Sequence, residues 1–448
     1  MDRAKGKEQG VKGAVRAISA NHRLTTRLPN YVVASVLTFV PVHAFVTVWA
    51  STAVGHYTLL RLWPELAVLC LSVWFLASGR IRQTWREFSQ FHLGWLILLY
   101  LLLSILYFGI AQVRGDIGLR TASYGLLLST RPIVWFVLVY AIARKSSWLR
   151  THWKRIVLIP FAAVCAFALL QFFILPPDFL KQFGYEKGVT IAPLQTINQD
   201  TETIRAQSTL RGPNPLGAYV LLGIGLMWVF VRRGIGKYVL LAASGVALYL
   251  SFSRSAWLGL AVAGLAWIAV TKSFLRNARI GASSAVVALL LVLGGVLLAL
   301  NNQGFKNAIF HANDQSTAAQ TSNEDRLSAL RDGVQDVVTE PLGRGLGTAG
   351  PASMLEDATP ARNSENYFLS VGQETGWLGL GLFIAICYRL ARALYKRREP
   401  FANVLLATFV GLTFVNLLSY AWADVTLAYI WWGLAGIAMA TTPHKERL

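Results

Sequence analysis

Acidic side chains are scarce in this chain, 22 Asp and Glu against 42 Lys and Arg over 448 residues. Cysteine is scarcer still: Cys70, Cys165 and Cys387 all fall inside apolar runs at no metal-ligand spacing, which excludes a disulfide framework and a cysteine-based metal site. Also missing are a repeat at a solenoid period and the internal duplication common in secondary transporters, which weighs against a transporter. The first thirty residues are basic but show no signal-peptide pattern ahead of the first long apolar run. Residues 1–30 therefore read as an uncleaved cytoplasmic arm able to lie on the membrane.

What fills the chain is apolar sequence. Hydrophobic residues make up 54%, the mean hydropathy is +0.47, and apolar runs of bilayer-spanning length recur from end to end. Hydropathy and flanking charge place spans at 31–50, 63–79, 92–112, 119–143, 156–176, 213–231, 238–252, 255–271, 280–300, 366–388, 401–419 and 425–441. The expected fold class is an all-α polytopic membrane protein with about twelve transmembrane helices and a large extracytoplasmic loop. The chain then divides into the arm at 1–30, helices one to nine at 31–300 with an outside loop at 177–212, an extracytoplasmic loop with an amphipathic helix at 301–365, and helices ten to twelve with a cytoplasmic tail at 366–448.

Sidedness follows from the loops. The set containing the N-terminus holds 28 of the 42 basic residues and 5 of the 22 acids, so it carries a net +23 while the rest of the chain carries −3. Both termini are expected in the cytoplasm, and the basic balance reports orientation and contact with anionic membrane lipids, not nucleic acid.

Against that distribution, the arginines on the far side stand out. Arg254 lies in Ser251-Phe252-Ser253-Arg254-Ser255-Ala256-Trp257, a hairpin between two apolar runs. A guanidinium stays charged and is costly at membrane depth, so one placed there holds an anion or a partner carboxylate. Arg205 and Arg211, with Gln207, Ser208 and Thr209 between them, read either as donors for a phosphate or diphosphate headgroup or as interfacial anchors. Arg120 and Arg131, about three turns apart on nearly the same helix face, either pair with a buried group or line a substrate path, with Glu374 the candidate acid.

In the large loop, Ser322-Asn323-Glu324-Asp325 has capping-box spacing. Leu327, Leu330, Val334 and Val337 follow at helical intervals until Glu340-Pro341, so an amphipathic helix is expected with Arg326 in its first turn. Gly343 to Gly350 contains a G-x-G-x-x-G, but no βαβ unit surrounds it; it reads as a tight turn whose glycines let backbone approach a ligand or a span closely. Glu365, ahead of Asn366 and Tyr367 at a helix start, is either a general base for an acceptor hydroxyl or a capping acid.

Taken in order, Arg211-Gly212-Pro213-Asn214-Pro215-Leu216-Gly217, Ser253-Arg254-Ser255-Ala256-Trp257-Leu258-Gly259, Arg326 ahead of Pro341-Leu342-Gly343-Arg344-Gly345, and Glu365-Asn366-Tyr367-Phe368-Leu369 before Glu374-Thr375-Gly376-Trp377-Leu378-Gly379 resemble the O-antigen ligase and Wzy-type polymerase superfamily, over roughly residues 205–385. The resemblance implies a C-type membrane glycosyltransferase on the outer face of the cytoplasmic (inner) membrane. Such an enzyme moves a glycan from a polyprenyl (undecaprenyl) diphosphate carrier to an acceptor hydroxyl on a lipid or glycan, with inversion and without metal or cofactor. It implies diphosphate binding by Arg211 and Arg254, and more loosely by Arg205 and Arg326. The expected catalytic residues are Glu365 and Arg254, and the expected substrate path adds Arg131, Arg120, Asn366 and Tyr367. Where ligases of this kind usually carry a His before the Asn, this chain has Glu365, so a Wzy-type polysaccharide polymerase stands beside the ligase. An anion carrier of bicarbonate type and a non-catalytic flippase or scaffold are the readings of other classes; the long outside loop is of little use to a carrier.

Overall fold

A helix satisfies its backbone hydrogen bonds within one segment, which is what a chain this apolar requires in lipid. A computed structural model describes residues 27–90, 92–197, 200–271, 317–355 and 361–441. Most of the basic arm, the expected span at 280–300 and the first part of the large loop lie outside the described residues. Among the described residues, seven helices are long and apolar enough to cross a membrane: α1 (Arg27–Val54), α4 (Leu93–Arg114), α5 (Leu119–Lys145), α6 (Ser147–Phe173), α7 (Pro213–Phe230), α9 (Arg254–Thr271) and α11 (Tyr367–Arg397). Three shorter apolar helices join them: α8 (Ile235–Leu250), α12 (Pro400–Asn416) and α13 (Val425–Ala440). The all-α polytopic class is thus what the structure shows.

At 63–91 the architecture departs from the expected span and loop. α2 (Trp63–Ala77) is followed after one turn by α3 (Ile81–Gln90), bent away by 94°. Ile81, Trp85 and Phe88 recur on one side of α3 while Arg80, Arg82 and Arg86 recur on the other, the pattern of a helix lying along an interface. Phe88 stacks on Phe136 and Tyr140 and fastens α3 to the bundle.

α13 is apolar all round and buried along almost its whole length, so it forms the axis of the bundle. The indole of Trp135 in α5 donates to the Tyr429 carbonyl at 2.8 Å, and Gly433 and Gly436 let α5 lie directly against it. α9 and α12 cross at Gly259 and Gly411, whose backbones touch where any side chain would intrude. Large apolar side chains such as Leu66, Val73, Leu102, Ile105 and Leu265 face outward, as lipid contact requires.

Among the described residues the one sheet is a two-stranded antiparallel ribbon, β1 (Gln195–Ile197) with β2 (Asp200–Arg205), in the smaller outside loop. In the large loop, α10 runs Thr317–Thr339; it begins nearly two turns earlier than the capping-box spacing indicates and stops at Glu340-Pro341 as expected. Val337 packs against Gly372 of α11, whereas Leu327 and Val334 stay 48% exposed.

The glycine-rich turn plugs a break in α11. Gly376 has φ 63 and ψ −167 inside that helix, which removes the regular hydrogen bonds there. Arg344 and Gly345 donate their backbone N–H groups to the carbonyls of Gln373 and Glu374 at 3.0 and 2.9 Å, and Trp377 donates to Pro341 at 2.9 Å. A Cβ at Gly345 would fall 2.8 Å from the Ala111 Cα, and one at Gly347 would fall 2.7 Å from the Thr121 carbonyl, so the turn is wedged between α4, α5 and α11. The glycines bring backbone against spans, one of the two uses open to them. Gly376→Ala combines a left-handed backbone with a collision at Pro341. It should cost about 2–4 kcal/mol, read as a fall in the detergent-solubilised unfolding midpoint.

Candidate functional site

The loops after α1, α4 and α8, the smaller outside loop, and the segments before α11 and α13 converge at one end of the bundle. Arg205, the last residue of β2, reaches across to the α8–α9 hairpin. Its Nε donates to the Ser251 carbonyl at 2.9 Å, and its Nη2 donates to the Phe252 carbonyl at 3.4 Å and to Asn214 Oδ1 at 2.7 Å. Phe252 is held at φ 47 in this hairpin, which presents Arg254 as the first residue of α9. Arg326 projects toward the same place from α10. Burial, then the charges of Arg326 and Arg254, lower the pKa of Arg205 to about 10.

Three guanidiniums held this close repel one another. A base whose pKa falls on folding destabilises the fold for as long as it is protonated, which at neutral pH Arg205 is. The N-termini of α7 and α9 lie here too, adding positive dipole ends. Among the described residues an acid joins the group: Glu365 Oε2 lies 3.0 Å from Arg326 Nε, both side chains being about half exposed. Glu365 is not the cap of α11. Asn366 caps it, accepting from the Leu369 N–H at 3.0 Å, and Glu365 precedes the cap at φ 49. Its carboxylate is thereby turned away from the helix and toward Arg326.

Arg211 is placed elsewhere. Together with Arg61, Arg131, Glu65, His43 and Asp424 it lines a separate, partly open cleft. Residues 206–210 separate it from Arg205 and are themselves buried. The Ser208 and Thr209 hydroxyls donate to the carbonyls of Val164 and Pro41 at 2.7 and 2.8 Å, so they are committed to holding this segment and not to a ligand.

Arg131 is buried and lines the cleft while pairing with an acid. Its Nη1 lies 3.0 Å from Glu65 Oε1 and its Nη2 donates to the Ala423 carbonyl at 3.0 Å. Glu374 is therefore not its partner; that carboxylate accepts from the Gly347 N–H at 2.8 Å and anchors the glycine-rich turn. Glu65 was missed in the sequence because nothing local ties it to a residue 66 positions away. Arg120 is exposed and does not line the cleft. Asn366 and Tyr367 are buried, the first also donating to the Leu417 carbonyl at 3.0 Å and the second packing on Phe383.

Residues 239–384 match the family model described as O-Antigen ligase. The resemblance to the O-antigen ligase and polymerase superfamily is borne out. An O-antigen polymerase of Salmonella muenchen is 27% identical over 210 residues, 45% of this chain and 50% of that protein. The chain thus spans about half the length of the curated relative it matches. The family match holds Arg254, Arg326 and Glu365 but stops short of Arg205 and Arg211. The structure brings Arg205 to the matched residues.

Two measurements test these assignments. Inorganic pyrophosphate at about 100 times its Kd should stabilise the protein by about 2.7 kcal/mol. An Arg205→Gln, Arg254→Gln, Arg326→Gln variant should show no such gain. Glu65→Gln leaves the Arg131 charge buried and should cost about 3–5 kcal/mol, much of it recovered when Arg131→Gln is added in a double-mutant cycle.

Proposed function

We propose that the chain is a membrane glycosyltransferase of the O-antigen ligase and polymerase type, acting on the extracytoplasmic face of the cytoplasmic membrane. The observation that carries this reading is the convergence of Arg205, Arg254 and Arg326 at the start of α9, with Glu365 held on Arg326 at 3.0 Å. A group of cations gathered at a lipid boundary suits a polyvalent anion. A polyprenyl diphosphate, with its isoprenoid tail in lipid and its charge at the bundle end, has the right chemistry.

The donor's diphosphate would be held by Arg254 and Arg326, with Arg205 fixing the hairpin that presents Arg254. Glu365 takes the proton of an acceptor hydroxyl on a lipid or glycan. The hydroxyl oxygen bonds to the anomeric carbon from the opposite face, the carbon–oxygen bond to the diphosphate breaks, and its electron pair leaves on the lipid diphosphate. The guanidiniums stabilise that developing charge. Arg326 is shared in this scheme. It pairs with Glu365 at 3.0 Å, and turning to the diphosphate it would free the carboxylate to act as base.

Purified protein given a polyprenyl-diphosphate oligosaccharide should release lipid diphosphate and form an extended or transferred glycan. Binding of the lipid without transfer would point to a scaffold or flippase instead. Arg254→Lys supplies a point charge in place of a planar fork and should lower turnover about a hundredfold with expression unchanged. Glu365→Gln should do the same while leaving lipid diphosphate binding within about threefold, as loss of a base does. Wild-type turnover in either variant removes that residue from the mechanism.

A further inference from the structure

The cleft holding Arg211 is chemically unlike the group at the start of α9. Its charges are mixed: Arg61, Arg131 and Arg211 face Glu65 and Asp424, with the phenols of Tyr57 and Tyr124 and the imidazole of His43 between them. Two of these charges are already used. Arg131 pairs with Glu65, and Asp424 accepts from the Leu427 N–H at 3.2 Å as the cap of α13. The side chains of Arg61 and Arg211 make no hydrogen bond or ion pair among the described residues, although Arg61 lies over the Tyr124 ring at 5.5 Å.

The pair at the base of the cleft is itself incomplete. Glu65 Oε2 and Arg131 Nε are buried without a hydrogen-bond partner, and the Arg131 side chain is only 1% exposed. Buried polar atoms left open in this way are costly, and a ligand carrying both donors and acceptors removes that cost. A bare polyanion does not suit the site, because Glu65 and Asp424 would repel it. A sugar ring does: its hydroxyls donate to carboxylates and accept from guanidinium, its faces lie on aromatic rings, and an acidic substituent engages the two arginines that lack an acid.

We infer that this cleft is a sugar subsite selective for a residue bearing an anionic group, a carboxylate or a phosphate. Taken with the proposed function, on which this assignment rests, it receives the acceptor glycan. Arg205 and Arg211 flank the same five-residue link, whose Cα path spans roughly 20 Å at full stretch, so the two places are no more than a short oligosaccharide apart. Ile191 of the smaller outside loop also lines the cleft, as do Ala423 and Val425 ahead of α13.

The test is calorimetric titration of the full-length protein in detergent with a glucuronate-bearing oligosaccharide, with a sugar phosphate and with a neutral oligosaccharide, and separately with farnesyl diphosphate. At least one anionic sugar should bind ten times more tightly than the neutral one. Arg211→Gln should remove that preference while holding farnesyl diphosphate affinity within twofold, and Arg254→Lys should do the reverse. Arg61→Gln repeats the test in a partly exposed loop should Arg211→Gln fail to fold. Equal binding of neutral and anionic sugars overturns the assignment, as does a loss of farnesyl diphosphate affinity in Arg211→Gln, which would make the cleft part of the donor site. Sugar binding with this pattern in a protein that transfers nothing would leave the subsite standing and remove only the transferase.

Discussion

Backbone groups inside a bilayer must find partners within the protein, and the break in α11 meets that requirement with a turn borrowed from another segment. Gly376 interrupts the helix, and the main chain of Pro341 to Gly347 takes over the bonds the helix gave up. At Gly343, Gly345 and Gly347 a side chain would collide with the backbone of α11, α4 and α5 in turn. Once the turn is seated, the direction of α11 is set, and so is the place of Asn366, which caps it, and of Glu365 immediately before. The end of α10 is set as well, since Trp377 donates to the Val337 carbonyl at 2.6 Å and Gln373 to Asp336 at 2.7 Å. Arg362 adds ion pairs to Asp336 and Glu340 at 2.6 and 3.2 Å. The position of Arg326 therefore depends on a glycine fifty residues further along the chain.

The second constraint is electrostatic. Arg205 spends its fork on two carbonyls and an amide, and that expenditure holds the hairpin in which Phe252 is forced to positive φ and Arg254 opens α9. The resulting crowding of like charge is a feature a purely structural hairpin would not keep.

Much of this was legible in the sequence, for physical reasons. Spans show because hydropathy is additive along a segment, and the class follows from them. Arg254 and Glu365 show because charge at a membrane boundary is conspicuous, and Pro341 marks the end of α10 because proline ends helices. The pairing of Arg131 was not legible: Glu65 lies on a different helix, and nothing in a linear pattern favours it over Glu374. Nor was the separation of Arg211 from Arg205, because the link between them contains hydroxyls that look like ligand donors until their carbonyl acceptors are seen. The right-angle bend before α3 had a signal, the alternation of Arg80, Arg82 and Arg86 with Ile81, Trp85 and Phe88, which reading the stretch as a loop overlooked.

Arg205 and Arg254 belong to the body of the bundle, whereas Arg326 rides on α10, whose upper half leaves Leu327 and Val334 uncovered. On the proposed reading, a diphosphate bridging Arg254 and Arg326 would fasten a peripheral helix to the bundle, in the manner of a rivet. The spent carrier would leave with that same diphosphate, so its departure would undo the fastening its arrival made, and the tempo of the cycle would be set by how readily the helix lets go.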